Sequence, residues 1–408
     1  LQGNAVETRT AYITDVEGQW ERLESFARSN DWVRLEGGGL VVAPGAQLVY
    51  GGDAMDRGPS GRRVLRTLLE TKLRQPGQVV LLAGNRDLNK LRLVRELGGH
   101  VPGRMPAEVR GGSRGEQLRW IFQHTMGAGA AFEHRRTELR AEGRGGSDDD
   151  VVDSFCEDVA PGGLLRRYLH ACTLAHRAGE TLFVHGGVTD ENLGRVPGED
   201  GTCAVAEWPS ALDAWYRGQL RAVEEDALDA EGRPAWQRLM AYQAPLPGTR
   251  LNQQSVVYGR TADAHNNPHL PGEETRTRLL SAGVHRVVVG HTPNGDSPSV
   301  VRDGDFEQLV ADTSHARLPE GAQLYLEDGR FRVEGWTVLD SGERRRVTFS
   351  VSRGDGSPIG QRLASTGELV KGQLEGGEYL LFRYGEGYAT YQRAVAPSAL
   401  EREDGPSR

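Results

Sequence analysis

The chain has 408 residues, 37% hydrophobic and 26% charged, a length beyond one ordinary core that predicts a large domain with insertions or a second small domain. Its formal net charge of -8 speaks against general nucleic-acid affinity, and no run approaches the roughly 18 apolar residues of a membrane helix. The opening LQGNAVETRT lacks the pattern of an export signal, and Cys156, Cys172 and Cys203 are odd in number without C-x-x-C spacing; the reading is a cytoplasmic protein with reduced thiols that neither staple the fold nor hold zinc.

Five short apolar runs rich in β-branched residues mark buried strands along the first 300 positions. The first, AYIT, leads into Asp15-Val16-Glu17-Gly18, and QLVY leads into GGDAMDRG, with Asp53, Asp56 and Arg57 between glycines. The next segment keeps helical spacing through Val64, Leu65, Leu68, Leu69 and Leu73, opened by Pro59 and closed by Pro76-Gly77. QVVLLA then runs into Gly84-Asn85-Arg86-Asp87.

Residues 99 to 180 read as an insertion, with Gly/Arg/Ser stretches around a helix EQLRWIFQHTMGAGAAFEHRRTEL. TLFV leads into His185-Gly186-Gly187, and a second insertion, 188 to 282, is acidic and mostly helical in pattern. The two insertions are expected to cap a site and choose its substrate. HRVVV ends in Gly290-His291-Thr292-Pro293. From 321 to 396 the pattern turns to strands, ending in a hairpin with Gly385 and Gly387 at its turn; this reads as a small β-rich appendage, followed by a disordered tail over 397 to 408.

The organisation predicted is α/β, and every strand of the first 300 positions ends on a glycine-containing loop that carries a side chain able to bind metal. Open α/β sheets bind ligands at the carboxyl ends of their strands, so these loops are expected to meet at one rim. The eight histidines other than His185, His291 and His315 have no such placement and read as surface or core residues. Arg260, in SVVYGRT, reads equally as a site arginine or an ordinary strand end.

Taken in order, Asp-x-Glu, Gly-Asp-x-x-Asp-Arg-Gly, Gly-Asn-Arg-Asp, His-Gly-Gly and Gly-His-Thr-Pro resemble the calcineurin-like metallophosphoesterases, nearest their phosphoprotein phosphatase and diadenosine tetraphosphatase branch. The resemblance covers residues 10 to 315 and implies a β-sandwich flanked by helices. It also implies two divalent ions, manganese foremost, with iron, magnesium, zinc or calcium as alternatives. Asp53 would bridge the two ions, Asp15 and Glu17 would complete one, and Asn85, His185 and His291 would complete the other. A metal-bridging hydroxide would attack phosphorus, with Asp56, Arg57 and Arg86 as the catalytic side chains and the two arginines as the substrate grip.

Two departures stand out. Glu17 replaces the family's histidine, which adds negative charge and favours harder ions. Arg86 stands where the family has a histidine that assists the leaving group, and a guanidinium donates no proton under ordinary conditions. Asp56, that histidine's family partner, is expected to pair with Arg86 instead. Arg86 then grips a second phosphate or a carboxylate, or the leaving group needs little protonation, or another residue is the acid, for which His315 in ADTSHA is the candidate. The function expected is a phosphohydrolase for a small phosphate ester or phosphoanhydride. The alternatives are a serine/threonine phosphoprotein phosphatase, a variant metalloenzyme for a specialised metabolite, and a silent metal-binding scaffold; no nucleic-acid or membrane partner is expected.

Overall fold

The computed structural model describes residues 9 to 229, 232 to 386 and 389 to 403. Its strands are β1 (Arg9–Ile13), β2 (Val33–Glu36), β3 (Gly39–Val42), β4 (Ala46–Tyr50), β5 (Val79–Leu82), β6 (Cys172–Thr173), β7 (Ala175–Ala178), β8 (Thr181–Val184), β9 (Arg286–Val289), β10 (Ser299–Asp303), β11 (Phe306–Val310), β12 (Gln323–Glu327), β13 (Arg330–Val338), β14 (Arg344–Ser352), β15 (Leu369–Gln373), β16 (Tyr379–Tyr384) and β17 (Thr390–Val395). A seven-stranded sheet has the order β14-β13-β12-β1-β4-β5-β6, and a five-stranded sheet the order β10-β11-β9-β8-β7. β15 to β17 form a third sheet, and β2 and β3 a separate hairpin. All five apolar runs are strands, as expected.

Alternation along each strand builds two core layers. Tyr12, Val49, Leu82, Phe183, Val288, Leu309 and Leu324 share one apolar cluster between the two large sheets, where the rings of Tyr12 and Phe183 stack at 5.8 Å. Their chain neighbours Ala11, Leu48, Leu81 and Leu182 join a second cluster with the helices. In helix Gly61–Arg74, Val64, Leu65, Leu68 and Leu69 are buried, whereas Leu73 is 66% exposed. This is a mixed α/β fold in which two facing sheets are flanked by helices.

The middle and the end of the chain differ from the sequence reading. The single helix expected across 116 to 139 is two, Arg114–Thr125 and Ala131–Ala141, broken where Gly127 takes φ +59°. The insertion expected to run to 180 stops short of β6 and β7, which are members of the two large sheets. The second insertion has helices Trp208–Glu224, Gln237–Tyr242 and Glu273–Ser281 separated by long irregular stretches. Residues from 321 do not begin an appendage: β12 pairs antiparallel with β1 and carries β13 and β14 into the main sheet, because Leu324 and Leu326 fill the layer between the sheets. Part of the expected tail is helical, Pro397–Glu403; Gly387 and residues 404 to 408 lie outside the described residues. No helix among the described residues is long and apolar enough to cross a membrane.

Candidate functional site

Parallel pairing brings the loops together. β1, β4 and β5 are adjacent and parallel in one sheet, and β8, β9 and β11 are adjacent and parallel in the other. The carboxyl ends of these six strands lead into Asp15, Asp53, Asn85, His185, His291 and Asp312, three from each sheet. Backbone bonds stitch the loops to one another: Asp15 N–H donates to Gly52 O at 2.9 Å and Glu17 N–H to Asp53 O at 3.0 Å. His291 N–H crosses between the sheets to Asp15 Oδ2 at 3.1 Å.

The backbone is strained where these side chains turn inward. Of the seven non-glycine residues with positive φ among the described residues, five are Asp15, Glu17, Asp53, Asp56 and His291. Such conformations cost about 1–3 kcal/mol each and persist where surrounding contacts enforce them. Glycine is required beside them: a Cβ on Gly84 would stand 2.1 Å from Asp53 Oδ1, and one on Gly52, at φ +105°, would stand 2.6 Å from His185 Nδ1.

Two groups of donors could hold a cation. The ligand atoms of Asp53, His185 and His291 lie within 4.8 Å of one another, as do those of Asp15, Glu17 and Asp53, and all are buried. Asn85 joins the first group, its Oδ1 standing 3.2 Å from His185 Nε2. His185 Nδ1 donates to Gly51 O at 2.7 Å, which leaves Nε2 turned toward Asp53 Oδ1 at 3.4 Å. His291 Nε2 is buried with no hydrogen-bond partner, the condition expected of an imidazole built to receive an ion. The first group therefore fits a divalent ion on its own donors. In the second group, both oxygens of Glu17 face guanidinium groups: Oε2 is 2.7 Å from Arg57 Nε and Oε1 is 2.6 Å from Arg86 Nε.

The protonation pattern follows from burial and charge. Burial holds Asp15 well above the usual carboxylate range, with Asp312 adding to it, and raises Glu17 to about 8 against the pull of Arg86 and Arg57. Burial alone would raise Asp53 too, but His185 and Arg86 hold it below its ordinary value. His185 moves the other way, up to about 10, because Asp53 outweighs the effect of burial. Burial and then Arg260 keep His291 well below its ordinary value, so this imidazole is neutral.

The residues singled out from the motifs are brought together here. Asp56 pairs with Arg86 as expected, its Oδ2 3.5 Å from Nη1, and lies nearer still to Lys90 Nζ at 2.5 Å. Lys90 is fully buried and spends its other hydrogens on Arg86 O at 2.9 Å and Asn89 Oδ1 at 3.0 Å. Asp87 binds backbone, accepting from Asp53, Ala54 and Gly84 N–H at 2.9–3.0 Å. His315 contacts Arg57 Nη1. Burial and Arg57 hold its imidazole below its ordinary value.

Asp312 was missed, although FEQLVAD repeats the pattern of an apolar run followed by an acid. Arg260 is one of the site arginines, with Nε buried and unpartnered, and the ring of its neighbour Tyr258 packs 4.9 Å from that of His291. Asp15, Glu17, Asp53, Asn85, Arg86 and His291 open into one cavity of about 840 Å³, walled by 123–127 of the first insertion and by 243–245, Tyr258 and Arg260 of the second.

The class that fold and site define together is a candidate metal centre at the rim of two facing α/β sheets. No family model and no curated protein matches the chain. Solved structures similar to it include a cold-active protein-tyrosine phosphatase from a Shewanella species, at 16% identity over 83% of this chain and 80% of that one, with a TM-score of 0.44. A protein serine/threonine phosphatase from Saccharomyces cerevisiae follows at 12% over 87% and 84%, TM-score 0.38, and a metallophosphoesterase from Sphaerobacter thermophilus at 11% over 85% and 89%, TM-score 0.34. Overlap at this level carries nothing about activity, and the site is read from its own geometry.

Proposed function

We propose that this chain is a divalent-metal-dependent phosphohydrolase of the calcineurin-like type, acting on a small phosphate ester or phosphoanhydride. One observation carries the reading: Asp53, Asn85 and His291 line the same cavity as Arg57 and Arg86, and the ligand atom of His185 lies within 4.8 Å of those of Asp53 and His291, whose Nε2 has no partner. Two imidazoles, an amide oxygen and a carboxylate without thiolate suit Mn²⁺, with iron and zinc within the same chemistry. A divalent ion held there would supply Lewis acidity toward phosphoryl oxygens and lower the pKa of water toward 7.

The chain's own residues do the rest. Arg57 lines the cavity with its Nε anchored on Glu17 and its Nη1 against His315, and its planar fork matches the oxygens of a phosphoryl group. Asp87 and the Lys90–Asp56 pair hold the loops of β4 and β5 against each other behind it. Protonating the leaving group is the weak step. Lys90 has no free hydrogen, Arg86 has no acidic one, and His315 is held neutral beside Arg57. Such a site suits leaving groups that depart as anions, which are those of phosphoanhydrides and aryl phosphates. A cavity walled on two sides by insertions, and of a volume common for small ligands, favours a small substrate over a phosphoprotein.

The test is a leaving-group series on the Mn²⁺-reconstituted protein. Aryl phosphates and a nucleoside diphosphate should turn over at least about 100-fold faster than an alkyl phosphate, the usual contribution of a missing general acid. Equal rates across the series would reject the proposed leaving-group chemistry, and hydrolysis of a phosphopeptide alone would replace the small substrate by a phosphoprotein.

A further inference from the structure

Arg86 occupies an unusual place for a substrate-binding arginine. Its side chain is 13% exposed and its guanidinium faces three carboxylates at once: Nε lies 2.6 Å from Glu17 Oε1 and 3.6 Å from Asp53 Oδ2, and Nη1 lies 3.5 Å from Asp56 Oδ2. Its own backbone N–H donates to Asp53 Oδ1 at 2.8 Å, so main chain and side chain grip the same carboxylate from two sides. Nη1 also donates to Gly127 O at 3.4 Å, tying the guanidinium to the break between the two insertion helices. A charged group fixed by this many contacts is part of the site's framework.

An ion ligated by both Glu17 Oε1 and Asp53 Oδ2 would need a position about 2.0–2.2 Å from each oxygen. Arg86 Nε already stands beside both, and the other oxygen of Glu17 is covered by Arg57. Two cations cannot share that space in a buried site, where their repulsion is poorly screened. In the other donor group Arg86 touches only Asp53; among the described residues no hydrogen bond from a guanidinium or lysine amine reaches Asn85, His185 or His291, and His291 Nε2 has no partner.

Resting on the metal-dependent reading above, we propose that the Arg86 guanidinium fills the second cation position of this site. The chain therefore holds one divalent ion tightly, at Asp53, Asn85, His185 and His291, and binds an ion at Asp15, Glu17 and Asp53 only in exchange for Arg86. The Glu17 and Arg86 departures from the motif pattern then have one explanation. A carboxylate in place of imidazole makes a partner that holds the arginine, and the guanidinium supplies fixed positive charge without a second metal.

The experiment is Mn²⁺ binding by chelator-stripped full-length protein, read as ions per chain by equilibrium dialysis and as spin coupling by electron paramagnetic resonance. Wild type should saturate at one uncoupled ion, with any second ion at least about 100-fold weaker, as expected when a buried ion pair must be broken to admit it. Arg86→Met should bind two ions within tenfold of each other and show a coupled spectrum, while Glu17→Gln should keep the single tight ion. Two tight, coupled ions in wild type would overturn the inference without any variant, as would a single ion in folded Arg86→Met. No bound ion in any of the three proteins would instead sink the metal-dependent reading itself.

Discussion

Asp87 binds no ligand and still decides whether the site exists. It accepts three backbone N–H groups from two different loops, and each would be a buried, unsatisfied donor without it, at about 1–3 kcal/mol apiece. Asp87→Ala should therefore lower unfolding stability by about 3 kcal/mol or more, read as a fall in the urea midpoint at unchanged slope; a loss under 0.5 kcal/mol would show that water replaces these bonds. The candidate ligands were legible because each lies within a few positions of the end of an apolar run. Lys90 was not: in a short polar stretch, nothing distinguishes a lysine on a helix surface from one buried against Asp56, and burial is decided by residues that arrive from the insertion.

At the scale of elements, the third sheet acts on the loop that carries His291. Tyr384 Oη donates to Pro293 O and Lys371 Nζ to Asn294 O, while Gln392 Nε2 reaches Asp296 Oδ2 at 2.9 Å. Strands β15, β16 and β17 thus each send one side chain to residues 293–296, directly after the histidine. Support of this kind behind a ligand is worth about tenfold in metal affinity. Tyr384→Phe should accordingly weaken Mn²⁺ binding by about tenfold with the fold intact by circular dichroism; unchanged affinity would reduce the third sheet to a purely structural role. Alternation in the sequence identified these strands as strands, yet could not say which sheet each would join. That choice is made by long-range pairing such as Leu324 and Leu326 filling the layer opposite Phe183 and Leu309, which explains why residues 323 to 352 read as an appendage and fold as part of the main sheet.

Over the whole molecule, two triplets of parallel strands aim their carboxyl ends at one rim, and the insertions between them wall the cavity above it. The convergence was legible because open α/β sheets gather ligands at that edge whatever their sequence. How the insertions would fold was not, since the break at Gly127 that brings Met126 and Gly127 to the cavity interrupts what reads as one continuous helix. The central proposal is that this rim is a metal-dependent phosphohydrolase site. It is tested most directly by phosphate release from p-nitrophenyl phosphate, using chelator-stripped protein reconstituted with Mn²⁺ beside Asp53→Asn. The account predicts turnover that requires Mn²⁺ and falls at least about 1000-fold in the folded variant, the scale at which loss of transition-state charge stabilisation is felt. Equal turnover in Asp53→Asn, or none from folded, Mn²⁺-loaded wild type, would contradict it.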